Sequence, residues 1–338
     1  MHAAPPPSLH PTALLTPAMA GVLDRIRRAG RPPWHTLTAV QARAAYEAGA
    51  EVLDLPRAQL VRVEDRTLPT APGVRCKARL YSNRPADRRR PQPALLYLHG
   101  GGFVVGGLET HDSLCRQLAL HSDAAVLALD YRLAPEHPFP AAVEDAWGAL
   151  RWLFDHAGDL GLDARRLAVG GDSAGGTLAA VAAILARDAG LPLGLQLLIT
   201  PGTSPDDQWP SRRLFADGFL LDAVTIEWFF AQVLPLGARH DWRFAPLLAP
   251  DLEGVAPAVL LLADCDPLVD EGLAYGDRLR AAGVAVSLER VRGVTHDFIK
   301  MGRAVPEARP AQRFLADSLR LTWEDAVSAP SDLPPEGL

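Results

Sequence analysis

Apolar positions along this chain take two recurring forms. Short continuous runs occur at Pro93–Leu98, Ala125–Leu129, Leu167–Gly170 and Val259–Leu262, with a further run at Val284–Leu288. A run without polar alternation is what a strand covered on both faces requires, because neither face meets water. Between the runs lie longer stretches whose composition and apolar spacing predict helices near Asp112–His121, Ala141–His156, Ala174–Asp188, Gly272–Ala282 and Ala311–Leu321. Strand and helix alternate from about residue 75 to about residue 320. That alternation predicts a mostly parallel sheet with helices on both faces.

Two segments do not follow the alternation. In residues 1–55, Thr16 before Pro17 pairs a capping residue with a first-turn proline, and Thr38-Ala39-Val40-Gln41 has the spacing of a capping box. Residues 203–245 concentrate eight aromatics, from Trp209 to Phe244, ahead of the run Val259–Leu262 and an acidic cluster near residue 266. Aromatics at helical spacing ordinarily fill a core. The tail from Trp323 to Leu338 is polar, acidic and Pro-rich, a composition that predicts disorder.

Candidate chemistry sits where the strands end. Gly171-Asp172-Ser173-Ala174-Gly175 joins the run Leu167–Gly170 to a helix, and G-x-S-x-G in a strand–turn–helix context is a nucleophile elbow. The flanking glycines let the backbone fold tightly around a strained serine. Upstream, His99-Gly100-Gly101-Gly102-Phe103 follows the run Pro93–Leu98. Consecutive glycines allow backbone N–H groups to converge on an oxyanion, and no phosphate-loop lysine follows to suggest a nucleotide instead.

A serine nucleophile needs a base, and the base needs an acid. In this architecture the chain order is serine, acid, histidine. Of ten histidines, only His296 lies beyond the acidic cluster, on a loop after the run Val284–Leu288. The acid is less constrained, since Asp264, Asp266 and Asp270 all follow Val259–Leu262 closely. Asp266 has Pro267 to hold it away from helix, Asp264 is nearer the strand end, and Asp270 could cap the next helix.

Several segments together resemble the hormone-sensitive-lipase-like family of α/β-hydrolases. They are His99-Gly100-Gly101-Gly102-Phe103, Asp130-Tyr131-Arg132-Leu133-Ala134-Pro135-Glu136, Gly171–Gly176, Asp266–Gly272 and His296-Asp297-Phe298. The resemblance implies an α/β-hydrolase fold and a serine carboxylesterase. Ser173 would be the nucleophile, Asp266 the acid and His296 the base, with the N–H groups of Gly101, Gly102 and Ala174 as oxyanion hole. It further implies that residues 1–55 and the insertion 203–245 form one helical cap over a core made of 56–202 and 246–322. Short-to-medium acyl esters are the expected substrates. An amide, lactone or formamide would suit the same triad, and a non-catalytic binding module on this scaffold would lack the histidine that His296 supplies. Asp297 stands where the family commonly has glycine, which questions the local loop conformation. Arg132 and Glu136 are expected to pair across the crossover after Ala125–Leu129.

Composition narrows the partners. The 338 residues suffice for one large α/β domain with a small accessory part, and 48% hydrophobic content supports a sizeable core. A net charge of −6, from 34 basic and 40 acidic residues, offers nothing to nucleic acid or an anionic membrane. Arg88-Arg89-Arg90 lies in a Pro-rich connection and reads as a solvated loop. Three scattered cysteines, Cys76, Cys115 and Cys265, suit a reducing compartment. With neither a leader-like start nor an apolar stretch of about 18 residues, a cytoplasmic protein is expected. No metal or organic cofactor is implied, because His111-Asp112 reads as a helix start with no further ligands at useful spacing. The expected partners are a small ester and water, with a homodimer left open.

Overall fold

The computed structural model describes residues 11–328. Its eight strands are β1 (Arg62–Ala71), β2 (Val74–Ser82), β3 (Gln92–Leu98), β4 (Ala125–Asp130), β5 (Leu162–Asp172), β6 (Leu193–Ile199), β7 (Ala258–Cys265) and β8 (Val286–Thr295). They form one sheet in the order β1-β2-β4-β3-β5-β6-β7-β8. The β1–β2 and β2–β4 pairs are antiparallel, and every pairing from β4 onward is parallel. The helices are α1 (Pro17–Arg28), α2 (Ala39–Leu53), α3 (Leu108–Ser122), α4 (Ala141–His156), α5 (Ala174–Asp188), α6 (Pro210–Leu214), α7 (Ala223–Val233), α8 (Val269–Ala281) and α9 (Ala308–Ser328).

The unbroken apolar strands are buried on both faces, and alternate residues feed two separate cores. On β3, Leu95 and Tyr97 point to one core with Leu114 and Leu118 of α3 and Leu315 and Leu319 of α9. Ala94, Leu96 and Leu98 point to the other, with Ala146 and Leu150 of α4 and most of α5. This is the mostly parallel sheet with helices on both faces expected from the alternation, and the α/β-hydrolase fold that the resemblance implies. No described helix is long and apolar enough to cross a membrane.

Local chemistry sets the helix ends. Thr16 accepts a hydrogen bond from Met19 N at the start of α1, and the Thr38–Gln41 capping box closes in both directions at the start of α2. α3 starts earlier than expected, at Leu108, because the Thr110 hydroxyl bonds both the N–H and the carbonyl of Gly107. The expected disorder from Trp323 onward is corrected for 323–328. α9 runs through Ser328, and the Trp323 ring is buried against Gly194 of β6, where a Cβ would collide with it. The composition of the tail had concealed one large apolar side chain with a fitted site. Residues 1–10 of the expected cap segment and 329–338 of the tail lie outside the described residues.

The two segments outside the alternation meet where β5, β7 and β8 finish. Trp34, just before α2, contacts Phe229 of α7 at 6.1 Å between ring centroids. The charge pair expected between Arg132 and Glu136 does not form. Arg132 bonds Asp145 of α4 at 2.8 Å, while Glu136 takes both terminal nitrogens of Arg43 from α2. Asp145 is fully buried and also anchors the Arg132 N–H, so the nearer carboxylate in space outcompetes the nearer one in sequence.

Candidate active site

Ser173 terminates β5 and opens α5 with φ 53° and ψ −120°. Few non-glycine residues adopt such a backbone, and the surroundings must hold it there. The reason for the flanking glycines is visible in the packing. A Cβ on either Gly171 or Gly175 would run into the carbonyl of Leu98 at the end of β3. The elbow is thereby pressed against the strand that delivers the glycine loop.

The sequence-predicted residues converge. His296 Nε2 lies 2.9 Å from Ser173 Oγ, and His296 Nδ1 lies 2.7 Å from Asp266 Oδ2. Asp266 is buried, and its other oxygen accepts the N–H of Leu268 at 2.9 Å. The two competing aspartates are engaged elsewhere. Asp264 pairs with Arg290 of β8, and Asp270 accepts the N–H of Ser211 in α6 at 2.8 Å. Burial alone would push the His296 pKa down, but the charge and hydrogen bond of Asp266, with Asp297 and Asp172 adding, carry it above its ordinary value. Gly101, Gly102, Ser173, Ala174 and His296 all face one cavity of about 1430 Å³. Both segments that depart from the alternation also line it, through residues such as Trp34, Tyr46, Phe229 and Phe244.

Gly102 has φ +58°, and a Cβ there would strike the Phe229 ring. An aromatic from α7 therefore rests directly on the glycine loop. Arg43 of α2 holds the same loop from another side, its Nε donating to Val104 O at 2.8 Å and its Nη2 to Ala134 O at 2.7 Å. Asp297 adopts φ 64°, the left-handed region that glycine fills without strain and that aspartate tolerates better than most residues. The departure from glycine thus leaves the turn intact.

Sequence reasoning missed the polar support around this site. Asp172, the variable residue before the serine, is buried and accepts from Tyr97 Oη at 2.7 Å and from Gly100 N at 3.1 Å. His111 Nε2 approaches its other oxygen at 3.1 Å. Burial raises the Asp172 pKa, but the charge and hydrogen bond of His111, with Lys300 and Tyr97, win and hold it well below the usual carboxylate range. One carboxylate so ties the elbow to the glycine loop. His99, stacked on Tyr131 at 4.2 Å, is kept neutral by burial, with its pKa at about 3. The signal for Asp172 lay in the G-x-S-x-G itself, whose first variable residue is an acid between glycine and the serine. Among the described residues no group of three or more His, Cys, Asp or Glu side chains could hold a metal.

Residues 95–300 match a family model described as the α/β hydrolase fold. The chain is 42% identical to the ethyl acetate hydrolase of Pseudomonas putida, over 90% of this chain and 98% of that protein. It is 40% identical to the esterase LipI of Mycobacterium tuberculosis, over 90% of this chain and 95% of that one. Among solved structures, an esterase from Pyrobaculum calidifontis superposes with a TM-score of 0.86 at 37% identity, covering 93% of this chain and 99% of its own. An α/β hydrolase from the metagenome of Lake Arreo gives 0.88 at 38%, covering 92% and 99%. The chain belongs to the hormone-sensitive-lipase-like family of α/β-hydrolases and is a carboxylic ester hydrolase.

Proposed function

We propose that the chain hydrolyses short-to-medium acyl esters through Ser173, His296 and Asp266. The observation that carries this reading is the hydrogen-bonded relay from Ser173 Oγ through the His296 ring to Asp266, at 2.9 and 2.7 Å, on a strained serine facing the cavity. Ser173 Oγ attacks the ester carbonyl while His296 Nε2 takes its proton. The carbonyl oxygen, now an anion, is held by the N–H groups of Gly101, Gly102 and Ala174. His296, doubly protonated and steadied by Asp266, gives its proton to the departing alkoxide as the carbon–oxygen bond breaks. Water then adds to the acyl-serine with His296 as base again, releasing the carboxylic acid and restoring Ser173.

The segments 11–55 and 203–245 act as a cap that excludes water from these steps and shapes the pocket. Small esters suit the naming of the Pseudomonas putida relative for ethyl acetate. The test is hydrolysis of p-nitrophenyl acetate, butyrate, octanoate and palmitate by wild type, Ser173→Ala and His296→Ala. Turnover confined to the shorter chains and lost in both variants supports the reading. Cleavage that survives Ser173→Ala refutes the nucleophile, and preference for amides or lactones moves the substrate class while keeping the triad.

A further inference from the structure

A second polar cluster stands beside the base, and the relay does not use it. Asp297 directly follows His296, and its Oδ2 accepts the hydroxyl of Tyr46 at 3.3 Å and lies 3.4 Å from Lys300 Nζ. Lys300 Nζ also donates to the Tyr46 oxygen and sits 4.6 Å from the centre of the Tyr46 ring. The three groups close a triangle in which ammonium donates to hydroxyl, hydroxyl donates to carboxylate, and ammonium faces carboxylate. All three line the active-site cavity, and Lys300 is buried. Two of them belong to the loop after β8. The third belongs to α2, more than 250 residues earlier in the chain, in the segment assigned to the cap.

A buried lysine on the wall of an ester-binding cavity is costly unless it is paired and hydrogen-bonded. Burial would lower the Lys300 pKa, but Asp297, Tyr46 and Asp172 hold it far above its ordinary value, so it remains a cation. Burial and Asp297 together push the Tyr46 hydroxyl well up, so it remains neutral and donates. The carboxylates that act on the His296 ring are Asp266 from the β7 loop, Asp297 from its own loop and Asp172 from the elbow, with Ser173 on Nε2, and Lys300 and Tyr46 meet Asp297. Of the carboxylates, Asp266 holds the ring by a hydrogen bond and Asp172 is occupied by His111, Tyr97 and Gly100. Asp297 is the one that accepts a hydrogen bond from the cap, through Tyr46.

We propose that Tyr46, Asp297 and Lys300 form a latch that seats α2 on the catalytic loop and positions and tunes His296, so that the proton affinity of the base depends on the cap being closed. The inference rests on His296 being the base. With the latch made, Lys300 and Tyr46 offset the Asp297 carboxylate. With α2 lifted, Tyr46 leaves, the carboxylate is less neutralised, and the imidazolium is favoured over the free base. Closure over a bound ester therefore coincides with the state in which His296 is most fully present as the free base.

The experiment is the pH dependence of kcat and kcat/KM on p-nitrophenyl butyrate for wild type, Asp297→Asn, Lys300→Met, the double variant and Tyr46→Phe, each checked for folding by thermal melting. Asp297→Asn keeps a residue that tolerates the left-handed turn, and it removes the carboxylate. Its acid limb moves to lower pH by about 0.5–1 unit, and that of Lys300→Met moves to higher pH by a similar amount. The double variant returns toward wild type, as a coupled pair must. In Tyr46→Phe the loss falls mainly on KM, raised several-fold, with a smaller upward shift of the limb. Should Lys300→Met not fold, Asp297→Asn and Tyr46→Phe still decide. An acid limb that stays in place in Asp297→Asn overturns the latch as a tuning device, whatever happens to overall rate. Full activity in His296→Ala would instead overturn the assignment of the base, a separate outcome.

Discussion

Two buried histidine–aspartate pairs stand beside Ser173, and only one of them turns a ring nitrogen to its hydroxyl. In the pair His296–Asp266, Nδ1 is held at 2.7 Å and Nε2 turns to Ser173 Oγ at the cavity wall. In the pair His111–Asp172, Nε2 faces the carboxylate at 3.1 Å and Nδ1 is occupied by the Thr110 hydroxyl at 2.9 Å. Both rings are buried, so burial does not distinguish them. What separates a general base from a structural strut is one ring nitrogen left for the substrate's side of the site. The strut supports the glycine loop, because Asp172 fixes the N–H of Gly100 next to Gly101 and Gly102.

Breaking each pair in turn gives the sharpest contrast. His296→Ala is expected to lower kcat/KM by roughly 10⁴-fold or more, and Asp266→Asn by a comparable factor. His111→Ala reverses the pattern. It removes one of three hydrogen-bond partners of the buried Asp172, with Tyr97 and Gly100 remaining, and should destabilise the fold by about 1–3 kcal/mol in urea titration, with a much smaller loss of rate. Equal rate losses in the two histidine variants would erase the distinction.

Acid separates the pairs along the pH axis. As the proposed base His296 has to be neutral, and its pKa is raised above 6.5, so kcat/KM should fall as pH drops through a value above that figure. Asp172 is depressed below 3.8, so its contribution to stability is complete above that pH and is lost only as pH falls further. Activity should therefore vanish over a range in which the Asp172 contribution to stability is still complete, and the Asp172→Asn variant should lose the Asp172-dependent stability drop below pH 3.8 but keep the activity limb. The smallest expected effect is at the surface. Glu136→Gln removes an exposed partner of Arg43 and should cost under about 1 kcal/mol, because water screens the pair and Arg43 keeps two carbonyl acceptors.

The legible parts of the chain were those where local sequence and tertiary environment ask for the same thing. The bounds of α4 and α5 follow from their apolar content, and the elbow and the glycine loop are written in contiguous residues. The acid was not decidable from spacing. Asp264, Asp266 and Asp270 are equivalent in sequence, and only the positions of Arg290 and Ser211 show that two of them are already taken. The Arg132–Glu136 expectation failed for the same reason, since Asp145 comes into reach only when α4 packs. Tyr46 and Lys300 carried no signal at all. Each is an unremarkable polar residue until the chain brings α2 onto the loop after β8.

The hold of Arg43 on Val104, Ala134 and Glu136 bears on how such a protein could be recombined. The N-terminal segment is not an interchangeable module laid over a finished scaffold, because one of its arginines completes the loop that follows the glycines. A chimera that imports a different lid from a homologue inherits a new pocket shape only if it also imports an equivalent guanidinium, or the carbonyls it served. Graft boundaries drawn at residue 55 would cut through this dependency, whereas exchanging side chains on α7 alone would leave it whole.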